Sequence, residues 1–374
     1  MKIKAIEPIA ISLPMRKPVQ MSGETVARAD NVLIRIEADN GIVGWGEAAS
    51  APTMTGETVA GMMAAVGIVA PALLGHRIDD FAGLSVAMDA RLYGNTGAKA
   101  AIEIALYDLV GRVTQRPVHA LLGATLRRRM PALAVVGSSD AAADIGEALD
   151  RHAAGYRAFK IKVGLDAAEA DGARTRAICL ALKDKDPECL VSADANQGFD
   201  VEGALRFVGV LGDCGLDFFE QPVAAHDLAG MARIAAASKA PIGADEGIHS
   251  QDDIARHHAH KAAGGVSLKA IKLGGIGALC DASRLCDRLG MRVNISCKTG
   301  ESSIASAAAT QTAAVVPAIA WGLTVTSPAL AEDVVAVPLR IDNGHVEVPE
   351  GPGLGIEVDE GRVRRCQQQF RRVA

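Results

Sequence analysis

A parallel α/β barrel preceded by a small α+β unit is the fold class this sequence predicts, on three observations. The chain has 374 residues, enough for two domains or one barrel with an added layer. From about residue 130, short apolar runs alternate with Ala-rich stretches of helical length, the rhythm of a parallel sheet covered by helices. Before that point alternating runs flank a tight turn, the mark of an antiparallel meander.

Lys2–Ser12 alternates as a strand, and Asn31–Ala38 alternates again. Asp39-Asn40-Gly41 then turns the chain into Ile42–Ala48, so a hairpin is expected at Asn40-Gly41. Helical patterns follow at Gly56–Leu74, Asp80–Leu92 and Ala98–Arg112. The barrel strands are expected at Ala132–Val136, Phe159–Val163, Leu190–Ala193, Phe218–Glu220, Ile242–Asp245, Val266–Leu273, Val293–Cys297 and Ala320–Val325. Eight such units over about 200 residues suit a closed (β/α)8-type barrel better than an open sheet. The expected division is 1–125 for the α+β unit, 126–330 for the barrel, and 331–374 for a tail that packs back on the first unit. Strand-like pieces in that tail are Arg340–Val348 and Gly355–Val358.

Composition narrows the function. With 49% hydrophobic and 22% charged residues the chain can bury a core, which excludes wholesale disorder. Aromatics are 3%, net charge is −5, and no Lys/Arg block occurs, which argues against a nucleic-acid groove. Seven cysteines without a C-x-x-C point to reduced thiols rather than a disulfide framework or a zinc site. The segment after Lys2 and Lys4 is too short and too acidic for a signal peptide, so a cytoplasmic location is expected. The uncharged stretch between Glu301 and Glu332 is long enough to raise a membrane span. Its Ser302, Ser303, Ser306, Thr310, Gln311 and Thr312 and its breaks at Pro317, Gly322 and Pro328 instead indicate a buried helix followed by a strand.

Charged residues at the strand ends carry the chemistry. Asp194, Glu220 and Asp245 end three successive strands, at steps of 26 and 25 residues, one β/α unit each. They should therefore sit side by side at the carboxyl end of the barrel, where such folds place their sites. Three neighbouring carboxylates repel unless a cation joins them, and an all-oxygen set selects a hard one: Mg²⁺, with Mn²⁺ as the alternative. Lys160 and Lys162 are two apart and face the same way on a strand. Two ammonium groups that close depress each other's pKa, which poises one as a base. Lys269 lies across the barrel and would approach a bound substrate from the other face. Lys272 is its rival, but three residues away on a strand it should face the opposite side. A metal between two lysine walls suits removal of a proton next to a carboxylate through an enediolate.

These motifs resemble the enolase superfamily, and within it the muconate lactonizing enzyme subgroup, almost end to end. Gly41-Ile42-Val43-Gly44-Trp45-Gly46-Glu47-Ala48 is similar to the family's capping-domain hairpin. Lys160-Ile161-Lys162 resembles its K-x-K motif, and Asp194-Ala195-Asn196-Gln197, Glu220-Gln221-Pro222 and Asp245-Glu246 resemble its metal-ligand motifs. Lys269 through Gly275 is similar to its sixth-strand segment. The resemblance implies a modified, enolase-like barrel with a capping domain completed by the tail. It implies a Mg²⁺-dependent isomerase, either cycloisomerase or racemase/epimerase, acting on a small carboxylate, with a dehydratase as the alternative and a non-catalytic barrel as a weaker rival. It also implies a homo-oligomer. By resemblance Asp194, Glu220 and Asp245 hold the metal, while Lys162 and Lys269 are acid/bases on opposite faces. Lys160 tunes Lys162, and Asn196 and Glu301 are supporting groups. Lys298 is a departure from the family pattern that would pair with a substrate carboxylate or with Glu301. Specificity is expected from two cap loops, Pro18–Val26 with Met21 and Glu24, and Ala49–Gly56 with Thr53 and Met54. Thr324-Val325-Thr326 stands where dipeptide epimerases carry an Asp-x-Asp pair, which argues against that activity.

Other features have plainer readings. Gly274-Gly275-Ile276-Gly277 misses the third glycine of a dinucleotide loop, though such a turn can hold an anion. His257, His258 and His260 suit a polar helix face better than a metal site, and Cys297 suits packing.

Overall fold

The structure, a computed structural model, describes residues 1–21, 24–138, 140–317 and 319–373. Strands β1 (Ile3–Met21), β2 (Glu24–Ala38) and β3 (Val43–Ala49) form an antiparallel sheet in that order. The turn at Asn40-Gly41 is as expected, with Gly41 at φ +86°. The first hairpin is longer than the alternation suggested. β1 and β2 stay paired out to Met21 and Glu24, across a register shift between Pro14 and Val19. The described part of the expected loop at 18–26 is therefore paired strand, because prolines obscure the alternation without ending the ladder.

Helices α1 (Val59–Leu73), α2 (Phe81–Asp89), α3 (Thr96–Thr114) and α4 (Val118–Leu122) follow. Thr58 caps α1 by accepting the Gly61 N–H at 3.2 Å. β3 lies directly on α3 because Gly44 and Gly46 lack side chains. A Cβ at Gly46 would fall 1.9 Å from the Ala101 carbonyl oxygen. That close approach turns Glu47, the next residue, toward the barrel.

The barrel begins after the short strand β4 (Arg129–Pro131). Its elements are β5 (Leu133–Val136), α5 (Ala141–Ala153), β6 (Ala158–Lys162), α6 (Ala168–Lys185), β7 (Leu190–Asp194), α7 (Val201–Leu211), β8 (Phe218–Glu220) and α8 (Leu228–Ala237). They continue with β9 (Ile242–Ala244), α9 (Gln251–Ala259), β10 (Gly265–Leu268), α10 (Ala270–Leu273), α11 (Ile276–Arg288), β11 (Arg292–Ser296), α12 (Ser303–Ala313) and β12 (Leu323–Thr324). β5 to β12 form one eight-stranded parallel sheet in sequence order, and a bridge from Ala132 to Leu323 brings its edges together. Trp321 fills the amino end of this barrel, stacked on Phe218 at 4.1 Å and against Gly265. The carboxyl end is left for the site.

One expected strand is corrected. The run Val266–Leu273 leaves the sheet after Leu268 and winds into α10, which ends on Gly274 at φ +88°. The stretch after Glu301 is the fully buried helix α12, and among the described residues no helix is long and apolar enough to cross a membrane. In the tail, β13 (His345–Glu347) pairs with β4, and α13 (Glu360–Val373) packs Val363 and Cys366 into the cluster around Ile9, Ile11 and Leu13 of β1. The strand expected at 355–358 is reduced to a single bridge, Val335 to Val358, and the final helix was not foreseen.

Candidate active site

Strand register brings the carboxylates together. Lys162 pairs with Asp194 across β6 and β7, and Asp194 pairs with Glu220 across β7 and β8. Asp245 follows β9, its N–H donating to the Gln221 side chain at 2.8 Å. Asn196, Gln197 and Gln221 adopt positive φ just beyond their strands, local strain of the kind stored at functional sites.

Each carboxylate meets an ammonium. Lys160 Nζ lies 2.5 Å from Glu220 Oε2 and 3.7 Å from Asp194 Oδ2. Lys162 Nζ donates to Asp194 Oδ2 at 2.7 Å and to Asn196 Oδ1 at 2.6 Å. Lys269 pairs with Asp245 Oδ2, and Lys272 Nζ donates to Asp245 Oδ1 at 2.6 Å. Ser267 Oγ donates to Glu220 Oε1 at 2.8 Å. Asp194, Glu220 and Asp245 are all at most 2% exposed. Burial alone would raise their pKa values. The Lys162 and Lys160 charges outweigh it for Asp194, and the Lys269 and Lys272 charges for Asp245, so both are held below the ordinary carboxylate range. For Glu220 burial prevails and the pKa is raised.

Two expectations about the lysines are corrected. Burial pulls Lys160 down, but the Glu220 and Asp194 charges hold its pKa above the ordinary lysine value, so two close ammoniums do not depress it. Lys272 does not face away from Lys269. The chain is helical beyond Lys269, positions three apart then share a face, and both reach Asp245.

A cavity of about 200 Å³ opens among these groups. Lys160, Lys162, Asp194, Asn196, Asp245 and Lys269 line it, and Glu220, bonded to Lys160, is buried next to it. Lys162 and Lys269 stand at the ends of β6 and β10, four staves apart in a barrel of eight, hence on opposite walls. Val19, Thr53 and Met54 from the cap and Ser296, Lys298, Thr299, Thr324 and Thr326 from the last strands complete the lining. The side chains of Met21 and Glu24 lie outside the described residues. Glu301 does not line the cavity. It is buried toward the cap, and its Oε2 accepts the Lys298 N–H at 2.9 Å. Cys297 reaches the cavity wall, with its thiol pKa pushed well up by burial.

Glu246, not singled out individually in the sequence, also lines the cavity. It is buried, its Oε1 accepts from Asn196 Nδ2 at 3.1 Å, and its Oε2 has no hydrogen-bond partner among the described residues. Burial, with the Asp245 charge adding, raises its pKa to about 7. The adjacent Asp245-Glu246 pair was its only sequence signal. The anion at the Gly274–Gly277 turn is the chain's own Glu103, which accepts the Gly277 N–H at 3.2 Å. His257 is buried on α9 while His258 and His260 are exposed, so the three do not converge.

Among the described residues no three His, Cys, Asp or Glu side chains are gathered closely enough to hold a metal by themselves. Ammonium groups stand at the carboxylate oxygens. The donor set still fits a hard divalent cation: three buried carboxylates on neighbouring strand ends, with neither His nor Cys among them.

Residues 6–123 match the mandelate racemase / muconate lactonizing enzyme N-terminal domain, and residues 143–362 match the enolase C-terminal domain-like family. The chain is 34% identical to a chloromuconate cycloisomerase of Cupriavidus pinatubonensis, covering 95% of this chain and 96% of that one. It is 31% identical to an N-succinyl-L-Arg/Lys racemase of Bacillus cereus, covering 96% of each. The crystal structure of 2-chloromuconate cycloisomerase from Rhodococcus opacus superposes with a TM-score of 0.92 at 30% identity, over 98% of this chain and 99% of that one. With both halves matched, and with cycloisomerases and racemases as full-length relatives, this chain belongs to the enolase superfamily, in its muconate lactonizing enzyme subgroup, and is an isomerase.

Proposed function

We propose that this protein is a Mg²⁺-dependent isomerase that moves the proton α to the carboxylate of a small organic acid. Racemisation or epimerisation is the favoured outcome. The observation that carries it is the placement of Lys162 and Lys269 on opposite walls of one cavity, one amine for each face of a planar carbon. Asp194, Glu220 and Asp245 would hold the cation, with Mn²⁺ as the alternative. When bound, the cation supplies electrostatic stabilisation of the charge that builds on the substrate carboxylate. Lys162 or Lys269 removes the α-proton to give an enediolate, and the opposite lysine returns a proton to the other face. Lys160, held on Glu220 and Asp194, keeps a fixed positive charge beside Lys162.

Cycloisomerisation is the second reading, favoured by the likeness to chloromuconate cycloisomerases, and it needs only one of the two lysines. Lys298, at the wall facing the carboxylates, would take a polar or anionic group at the far end of the substrate. Thr324 and Thr326 occupy the strand-8 position, consistent with a substrate other than a dipeptide. A cytoplasmic setting accords with seven buried free thiols, and the homo-oligomer belongs to the same reading.

The test is deuterium incorporation at the α-carbon in D₂O, with both enantiomers of N-succinyl-arginine and with muconolactone. Wild type should exchange, and EDTA should abolish the exchange. Lys162→Ala and Lys269→Ala should each lose exchange of one enantiomer, and not the same one. Loss of water in place of isomerisation would replace this reading with a dehydratase. No exchange with any acid and no Mg²⁺ binding by calorimetry would leave a binding protein.

A further inference from the structure

Behind Lys162 lies a buried ion cluster that the proton-transfer chemistry does not use. Arg174, on the inner face of α6, is 6% exposed, and Asp144 of α5 and Asp171 of α6 are fully buried. Arg174 Nη1 donates to Asp144 Oδ2 at 2.6 Å. Its Nη2 donates to Asp171 Oδ1 at 2.7 Å and to the backbone carbonyl of Lys162, also at 2.7 Å. The far oxygens of the two aspartates continue the network. Asp171 Oδ2 accepts the Gly164 N–H at 2.7 Å, and Asp144 Oδ1 accepts the Ser138 N–H and hydroxyl at 2.8 and 2.7 Å. One guanidinium thus ties together the chain just beyond β5 and the chain on both sides of Val163, at the end of β6.

A buried triad of this kind is weak evidence for stability, because apolar residues of similar size often serve as well. What its planar fork does supply is fixed geometry at several acceptors at once. The second observation is independent of charge. Gly137, after β5, lies against the Lys162 side-chain stem, so a Cβ there would fall 2.9 Å from Lys162 Cβ. Lys162 is therefore held from behind by its carbonyl and from the side by a residue without a side chain.

We infer that Arg174, braced by Asp144 and Asp171, is a positioning residue for Lys162, fixing where its ammonium meets the substrate α-carbon. Lys269 has no part in this clamp, since its strand end is tied through Asp245 and Lys272 instead. The inference rests on the reading of Lys162 as an acid/base and predicts an asymmetry between the two faces.

The experiment is face-resolved exchange in Arg174→Gln and Arg174→Lys, with the enantiomers of N-succinyl-arginine and with muconolactone. Exchange that depends on Lys162, identified by its loss in Lys162→Ala, should fall about 10²-fold, the scale expected for a displacement near 1 Å. Exchange that depends on Lys269 should change less than about threefold, and KM should stay within about twofold. A general loss of packing would lower both faces together, and that result would overturn the inference, as would no change at either face. Should Arg174→Gln fail to fold, Gly137→Ala pushes the same stem with no charge removed, and the same asymmetry is expected. If wild type exchanges none of these acids, the proposed function fails and the clamp is judged by crystallography of Arg174→Lys. Movement of Lys162 Nζ off Asp194 and Asn196, with Lys160 and Lys269 unmoved, supports it, and an unmoved Lys162 overturns it.

Discussion

The carboxylates at the barrel mouth and those at the seam between cap and barrel are equally cut off from water, yet different donors hold them. At the seam, Glu47 accepts from Asn31 Nδ2 at 2.7 Å, from the Ser302 N–H and hydroxyl at 2.9 and 2.6 Å, and from the Ala305 N–H at 3.1 Å. Asp333 accepts the Ser303 hydroxyl and the Val334 N–H, both at 2.7 Å. Together they cap the amino end of α12. At the mouth, Asp194, Glu220 and Asp245 are held by Lys160, Lys162, Lys269 and Lys272, with the Ser267 hydroxyl and the Asn196 N–H adding to them. Backbone N–H groups cannot leave without unwinding a helix, so the seam is permanent. Lysine ammoniums belong to no helix ladder, so the mouth can exchange them for a cation or a substrate without unfolding an element. The difference separates carboxylates locked to a helix end from carboxylates held mainly by side-chain ammoniums.

The largest effect expected from this contrast is at the mouth. Asp245→Asn should lower metal-dependent α-proton exchange by about 10³-fold, the upper scale for removing one electrostatic group from a preorganised site. Exchange within about threefold of wild type would remove Asp245 from the working set. At the seam the loss should appear in stability instead. Glu47→Ala leaves several buried donors unmet and should cost about 2–4 kcal/mol in urea unfolding. A change below about 0.5 kcal/mol accompanied by loss of activity would erase the distinction between the two regions.

The next effect concerns pH. Burial, with the Glu47 charge adding, pushes the Glu301 carboxyl up to about 8. The folded chain therefore keeps this proton up to about pH 8, while an unfolded chain releases it near the ordinary glutamate value of 4.5. The unfolded state binds fewer protons in that window, so this contribution to stability is full below it and lost as pH rises through about 8. Urea midpoints of wild type should fall across the window more steeply than those of Glu301→Gln, and parallel curves would refute the assignment. The smallest effect is expected at Thr324, which lines the cavity and whose buried hydroxyl has no hydrogen-bond partner among the described residues. Thr324→Val should leave stability within about 1 kcal/mol, since no protein hydrogen bond is lost, while raising KM several-fold. An unchanged KM would place the substrate away from that wall.

The barrel and the gathering of three carboxylates at its mouth were legible in the sequence because both depend on short-range repetition. A β/α unit has a nearly constant length, so Asp194, Glu220 and Asp245 at steps of 26 and 25 residues had to reach neighbouring strand ends. Lys160 and Lys162, two apart on a strand, had to share a side. What escaped depends on where an element stops and what meets it from far away. Lys272 turns to Asp245 only because β10 gives way to a helical turn at Lys269, and Val266–Leu273 alone does not show that switch. Glu301 turns to the seam rather than the cavity because the cap fills one side of it, a contact between residues hundreds of positions apart. The final helix had no such signal in its Gly- and Pro-rich approach, and it packs only because β1 supplies an apolar face. Sequence alone determined which side chains are repeated at the barrel mouth, because local periodicity sets their direction. The tertiary structure decided which donor each buried carboxylate receives, because that depends on groups the chain brings together only by folding.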